Sequence, residues 1–248
     1  MREEIYRQYD SRWGSLPYPT KSYSFANNGC GCCSVTHLVA ETPEHYGCTP
    51  KDIRPYMVQF ATKGHGTTWD GITKSLQHYG LDSKMHDGMQ TAFNALAKMP
   101  KGRRAGILLF RAGTRSGKTW TSGGHYVAFL DYKVVNGKHY FYTKDSGARK
   151  NDGWHCYETQ MEGLIKQIWT VELPAPKKGK YYDVGKTYVV VSGRNVRTGG
   201  ALKYKKVGYL TKGTKVKCLQ TSKNGRWIRH GPLRWSCGRS ASGEVYIN

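Results

Sequence analysis

Acidic residues are scarce. Seventeen Asp and Glu stand against 39 Lys and Arg, a formal charge of +22 over 248 residues. The shortage is concentrated at one end: residues 174–248 hold only Asp183 and Glu244 against 17 basic residues, whereas residues 1–173 hold 15 against 22. A segment so short of acid repels other cations and dwells near polyanions such as nucleic acid, anionic membrane or anionic wall polymers. Long apolar runs are also missing. No stretch of 18 apolar residues occurs, so a membrane-spanning helix is not expected. The opening MREEIYRQYDSRWG has no apolar core of a secretory signal. The seven cysteines are odd in number and lack the regularity of a small secreted disulfide framework. Free thiols are the default expectation in a reducing compartment. No internal repeat is found.

The chain changes character near residue 174. Leu173–Lys180 (LPAPKKGK) has the composition of a solvated linker, which places a first domain at 1–173, a linker at 174–183 and a second domain at 184–248. In the first part, 34–41, 69–79 and 90–99 carry helical patterns, the last two closed by Gly80 and Pro100. Residues 106–110 (GILLF), 126–132 (YVAFLDY) and 139–143 (HYFYT) read as strands of a buried sheet, and Asn136-Gly137 marks a hairpin between the last two. Helices followed by antiparallel strands predict an α+β domain. After residue 184 only short strand-like runs remain, at 186–191, 207–210, 215–220, 226–229 and 244–247, with a turn at Asn224-Gly225. Five short strands in so small a segment predict a β-barrel.

The densest chemistry lies in Asn27–Leu38, NNGCGCCSVTHL. Three cysteines in four residues admit a metal clip, a disulfide hub or a nucleophile. A zinc site would need a second ligand pair, and only isolated Cys48, Cys156, Cys218 and Cys237 remain to supply it. A cysteine at a helix start feels the positive end of the helix dipole, which favours the reactive thiolate, and the amides there are placed to cradle an oxyanion. Cys30 is so placed, between Gly29 and Gly31, which let the backbone turn tightly and a substrate approach closely. Cys32 and Cys33 then point inward as small apolar side chains, and His37 packs. A thiol nucleophile needs a base and a group to orient that base. His125 stands at the mouth of an apolar strand in GGHYVAFLD, and Asp145 ends the next strand. Counted about the turn, residue 125 faces roughly 148, so a loop or bulge of two or three residues brings Asp145 alongside.

These segments resemble those of the C39-like, papain-fold cysteine peptidases. GCGCCSVTHL is similar to that family's GCGPTSxAM-type segment, GGHYVAFLDY…KDSG to GHYVVVxGY…NDP, and DSRWGSLPY (Asp10–Tyr18) to the domain's opening. The resemblance spans most of residues 8–150. It implies a papain-like fold with Cys30 as nucleophile, His125 as base and Asp145 as orienter. The chain departs from the pattern at Cys32 and Cys33, which replace Pro-Thr or Pro-Ala, and at Ser146, which replaces proline. Ser24 stands where relatives carry an oxyanion glutamine; Asn27 or Asn28 is the alternative amide donor.

Ala112–Thr119 (AGTRSGKT) fits a loose phosphate-loop pattern, but the helix such a loop requires does not follow. An exposed hairpin or lid is expected there, with Arg111, Arg115 and Lys118 available to an acidic substrate group. Residues 186–248, with SGRNVRTGGALK and NGRW, resemble the bacterial SH3-like domains of wall hydrolases, although Arg194 stands where an apolar residue is usual. That resemblance implies a small barrel that grips peptidoglycan and its attached polymers through Tyr204, Tyr209, Trp227 and Trp235. The expectation is a monomeric peptidoglycan hydrolase resembling a phage endolysin, held in the host bacterial cytoplasm until release to the wall. It needs no metal or organic cofactor, binds no nucleic acid and does not insert in the membrane. A leader-peptide or bacteriocin-processing peptidase, or a non-catalytic wall-binding protein, is the alternative.

Overall fold

The computed structural model describes residues 5–45, 48–175, 180–231 and 233–248. The chain divides into two compact units, Met1–Pro174 and Ala175–Asn248. Part of the expected linker, residues 176–179, lies outside the described residues.

The first unit is α+β, with five helices, α1 (Phe25–Asn28), α2 (Cys30–Val39), α3 (Pro50–Met57), α4 (Trp69–His78) and α5 (Met89–Lys98). Its main sheet contains β1 (Ser83–His86), β2 (Arg104–Phe110), β3 (His125–Val135), β4 (Lys138–Lys144), β5 (Gly153–Cys156) and β6 (Ile165–Glu172). The strands lie in the order β1-β6-β2-β3-β4-β5, every pair antiparallel.

Both faces of the sheet are covered, which is why GILLF reads as a continuous apolar run rather than an alternation. Ile107 and Leu109 join one core, with Cys32, Val35 and Leu38 of α2; Leu108 and Phe110 join the other, with Ala92, Phe93 and Leu96 of α5. The period-2 geometry of β2 thus feeds two cores from one strand. Asn136 and Gly137 both take positive φ, 50° and 73°, as a tight hairpin between right-twisted strands requires. Helix α3 was not expected. Thr49 and Asp52 form a capping box and Pro50 opens the first turn, a strong start signal that the later Pro55 obscures.

In the second unit, β7 (Thr187–Val189) pairs with β10 (Lys215–Lys217). A five-stranded sheet has the order β9 (Lys206–Leu210), β8 (Arg194–Arg197), β13 (Arg234–Cys237), β12 (Trp227–Gly231), β11 (Gln220–Thr221). Val190, Val216, Cys218, Ile228 and Ile247 are among its buried residues. The strand expected at 244–247 is reduced to two isolated bridges, Arg239 to Val245 and Val190 to Ile247, while β8 and β13 were not foreseen. Among the described residues no helix is long and apolar enough to cross a membrane.

Candidate active site

Helix α2 begins at Cys30 rather than after it. Crowding explains the glycines on either side. A methyl group at Gly29 would sit 2.6 Å from the Phe25 ring, and one at Gly31 would sit 2.6 Å from Thr67 Oγ1. Gly29 has an ordinary φ of −84°, so close packing, more than a special backbone, selects glycine.

Three separated segments meet at this helix start. His125 is the first residue of β3, opposite Phe110 of β2. Asp145 follows the last residue of β4. The register shifts once in the hairpin, between Phe129 and Asp131, so a one-residue bulge and the turn after β4 together bring Asp145 beside His125. His125 Nε2 and Asp145 Oδ1 are 2.7 Å apart, and the same imidazole acts on the Cys30 thiol, favouring its charged form. With Nε2 engaged by the carboxylate, Nδ1 is the nitrogen left for sulfur.

The Asp145 carboxylate is fully buried yet saturated with donors. Oδ1 also accepts the backbone N–H groups of Gly147 (2.7 Å) and Ala148 (3.1 Å). Oδ2 accepts Trp120 Nε1 (3.0 Å) and Asn151 Nδ2 (2.9 Å). Trp120 is itself stacked on Phe110, with ring centroids 4.4 Å apart. Farther out, Arg7 donates to the Asp145 carbonyl and pairs with Asp152, whose Oδ1 accepts the Asp145 N–H at 3.0 Å. Gln8 donates to the Ala26 carbonyl (2.6 Å) and accepts from the Ser146 hydroxyl (3.1 Å), tying the chain before the nucleophile to the turn after the acid. Sequence reading missed Arg7, Gln8, Trp120, Asn151 and Asp152. They lie outside the periodic helix and strand patterns, Arg7, Gln8 and Trp120 acting through contacts distant along the chain and Asn151 and Asp152 through the turn after Asp145.

The electrostatics follow from this geometry. Burial opposes a charged Cys30, but the hydrogen bond and charge of His125, helped by the backbone N–H groups of Tyr126 and Gly31, outweigh it and lower the thiol below its ordinary value. Burial likewise opposes imidazolium, yet Asp145 on one side and Cys30 on the other raise His125 to about 10. Burial acts against the Asp145 charge as well; His125, Asn151 and the Gly147 amide overcome it and depress the carboxyl well below the usual range. The three shifts favour one state, thiolate–imidazolium–carboxylate. The neighbours differ. Burial pushes the Cys32 and Cys33 thiols well up, so of the three thiols in the cluster only Cys30 is lowered. His37 is buried and accepts the Tyr6 N–H at 3.3 Å.

Cys30 opens onto a cavity of about 630 Å³. Arg111, Arg115, Lys166, His65 and Trp69 are among its lining residues, and no Asp or Glu is. Arg115 belongs to a short hairpin of Thr114–Arg115 and Lys118–Thr119, so the Ala112–Thr119 segment is indeed a hairpin, with no helix after it. Asn27 is exposed on α1, and Asn28 is buried with Nδ2 turned to the Ser24 carbonyl at 3.4 Å; neither lines the cavity. Among the described residues no group of three His, Cys, Asp or Glu could hold a metal ion. In the second unit Trp227 is buried, Trp235 half-buried, and Tyr204 and Tyr209 are exposed.

No family model matches this chain, and no curated protein sequence does. Among solved structures, it is similar to the peptidase domain of Streptococcus ComA, a bi-functional ABC transporter involved in quorum sensing, at 16% identity and a TM-score of 0.43, covering 70% of this chain and 100% of that one. It is also similar to Ly7917, solved with the hydrolysing product of MDP, at 13% identity and a TM-score of 0.30, covering 88% of each chain.

Proposed function

We propose that this protein is a cysteine peptidase or amidase that cleaves an amide bond in the peptide moiety of bacterial peptidoglycan, in the manner of an endolysin. One observation carries the reading: at the edge of a cavity, a thiol at a helix start is lowered by an imidazole that a fully buried carboxylate holds at 2.7 Å. The cavity's free cations, Arg111, Arg115 and Lys166, have no carboxylate partner among the described residues and suit the carboxylates of a wall peptide. The strongly basic second unit, which resembles SH3-like domains in sequence, would hold the enzyme at an anionic wall.

In the mechanism, the Cys30 thiolate attacks the amide carbonyl carbon and forms a C–S bond. The carbonyl oxygen becomes an oxyanion, for which the first-turn amides of α2 are the nearest fixed dipoles. His125 then gives its proton to the leaving nitrogen, the C–N bond breaks, and a free amine departs. Water, deprotonated by His125, attacks the thioester and releases a carboxylate, restoring the thiolate–imidazolium pair. Asp145 holds the ring with Nδ1 toward sulfur and stabilises the imidazolium throughout.

Digestion of purified peptidoglycan should release new amino groups and new carboxyl groups in equal amounts. Mass analysis of the fragments then shows whether the cut lies in the stem peptide, in the cross-bridge or at the muramoyl–alanine bond. New reducing sugar ends without new amines would refute the reading.

The charge state also sets the pH dependence. Activity on a soluble wall peptide should rise as Cys30 loses its proton, with a midpoint below the ordinary thiol value of 9.0. It should fall again as His125 loses its proton near pH 10. A rising limb at or above pH 9 would show that sulfur and imidazole do not share charge.

A further inference from the structure

The second unit holds its own cavity, of about 410 Å³, walled by Arg194, Arg197, Arg226 and Arg239 together with Trp227 and Tyr246. Among the described residues no Asp or Glu lines it. The choice of cation is selective. The described part of residues 174–248 contains nine lysines and six arginines, yet four of these arginines and none of these lysines line this cavity. Charge carried only for solubility would be spread over both types.

Each of the four arginines is half-buried as a residue, and among the described residues none forms an ion pair. Their partners are neutral. Arg194 donates to the Gly193 carbonyl at 3.1 Å and lies 3.1 Å above the centroid of the Tyr246 ring. Arg197 donates to the Tyr204 carbonyl at 2.9 Å, and Arg239 to the Gly243 carbonyl at 3.2 Å. These contacts hold the forks in place but cancel no charge. The buried Nε groups of Arg194 and Arg239 find no acceptor. Glu244 is engaged by the Tyr246 hydroxyl at 2.6 Å. Four like charges gathered around one hollow repel each other, and partial burial weakens the solvent screening that would relieve them. An anion seated between them removes that cost. The guanidinium fork matches phosphate bidentately and stays charged at any physiological pH. Asn195, Asn224 and Ser240 add neutral donors, which suits an anion with more oxygens than a carboxylate.

We infer that this arginine-walled cavity binds a phosphodiester group, as repeated along an anionic polymer of the cell wall. The anion site stands on the second unit's residues alone; its assignment to a wall polymer rests on the function proposed above. The test titrates the full chain, carrying Cys30→Ala so that no substrate is consumed, with poly(glycerol phosphate), with polyglutamate and with single-stranded DNA. The glycerol phosphate polymer should bind best. Arg226 makes no side-chain hydrogen bond among the described residues, so Arg226→Ala should leave the melting temperature unchanged while weakening that binding about tenfold. Arg226→Lys, which keeps the charge but loses the fork, should weaken it nearly as much. Lys223→Ala, one exposed charge removed from the same turn outside the cavity, should change it less than twofold.

Equal losses for Arg226→Ala and Lys223→Ala would reduce the effect to net charge and overturn the site. So would full retention by Arg226→Lys, or equal affinity for polyglutamate. Tighter binding of single-stranded DNA would replace the wall polymer with nucleic acid. Failure of the parent enzyme to cut peptidoglycan would remove the proposed function and leave the phosphodiester measurement standing.

Discussion

On the proposed function, Cys30→Ala should abolish peptidoglycan cleavage, by about four orders of magnitude or more in kcat/KM, while the protein remains folded. The size of the effect follows from the loss of the only atom that forms a bond to substrate; what survives is binding and the fixed dipoles of the helix start. Folding should change little, because Cys30 sits at the lip of the cavity, at the first turn of α2, and alanine is tolerated there in shape and propensity. Chemical modification gives the complementary result. Iodoacetamide at neutral pH should alkylate Cys30 ahead of Cys32 and Cys33, since the first thiol is lowered by its imidazole and the other two are raised by burial. Peptide mapping after a short pulse would read this directly, and activity should fall in step with modification of residue 30. Unimpaired cleavage by the alanine variant would end the nucleophile assignment.

How much of this could be read from the chain differs from element to element. The β3–β4 hairpin was legible because Asn136-Gly137 demands positive φ at both positions and few other pairs do. The side chains at its open end were legible as polar or ionisable residues bordering apolar strands. Counting about the turn showed that a loop or bulge was needed to bring them together, but not where it falls: nothing in YVAFLDY announces the shift of register at Leu130. The start of α2 was placed four residues late. Two glycines in GCGCC weaken the local helical signal; Phe25 and Thr67 leave no room for a Cβ at either, so tertiary packing selects glycine there against helix propensity. Strands β1, β5 and β6 were missed for a related reason. β1 and β5 are short and flank the sheet, and the β6 sequence IKQIWTVE mixes polar residues into a run that is buried on account of both neighbours. In the second unit the four cavity arginines are visible in the sequence merely as part of a basic tail; only folding separates them from the lysines.

Asp145→Asn, though isosteric, should be the second most damaging change, and the reason is the direction of every hydrogen bond around it. Five donors converge on the carboxylate: His125, Gly147 and Ala148 on Oδ1, Trp120 and Asn151 on Oδ2. An amide offers one acceptor oxygen and one N–H2 group. If its oxygen faces His125, its nitrogen faces the Trp120 and Asn151 donors; if it is flipped, the nitrogen meets the imidazole and two backbone N–H groups. Either orientation leaves at least two buried donors opposed, at about 1–3 kcal/mol each, and removes the charge that favours imidazolium. The loss expected is about 3 kcal/mol or more, a drop of roughly 10 °C in Tm for a unit of this size. Cleavage should fall by about 10²- to 10⁴-fold, because the ring loses both its orientation and its raised proton affinity.

The acid limb of stability carries an independent signature of the same interactions. A carboxyl whose folded pKa is depressed stabilises the fold above its ordinary value of 3.8, and that contribution is given up as the pH falls below 3.8 toward the folded value. His125 works in the opposite sense: raised to about 10, it contributes fully below pH 6.5 and loses that contribution as the pH climbs through 10. Melting curves of the parent should therefore weaken below pH 3.8 and again as the pH climbs from 9.0 through 10; below 9.0 the Cys30 thiol, which loses its proton in the fold before it does in the unfolded chain, offsets the His125 loss. In Asp145→Asn both slopes should flatten, since the carboxylate that titrates at one end and supports the imidazolium at the other is gone. A variant that keeps the parent's Tm and pH profile would show that the five donors do not depend on the charge of residue 145.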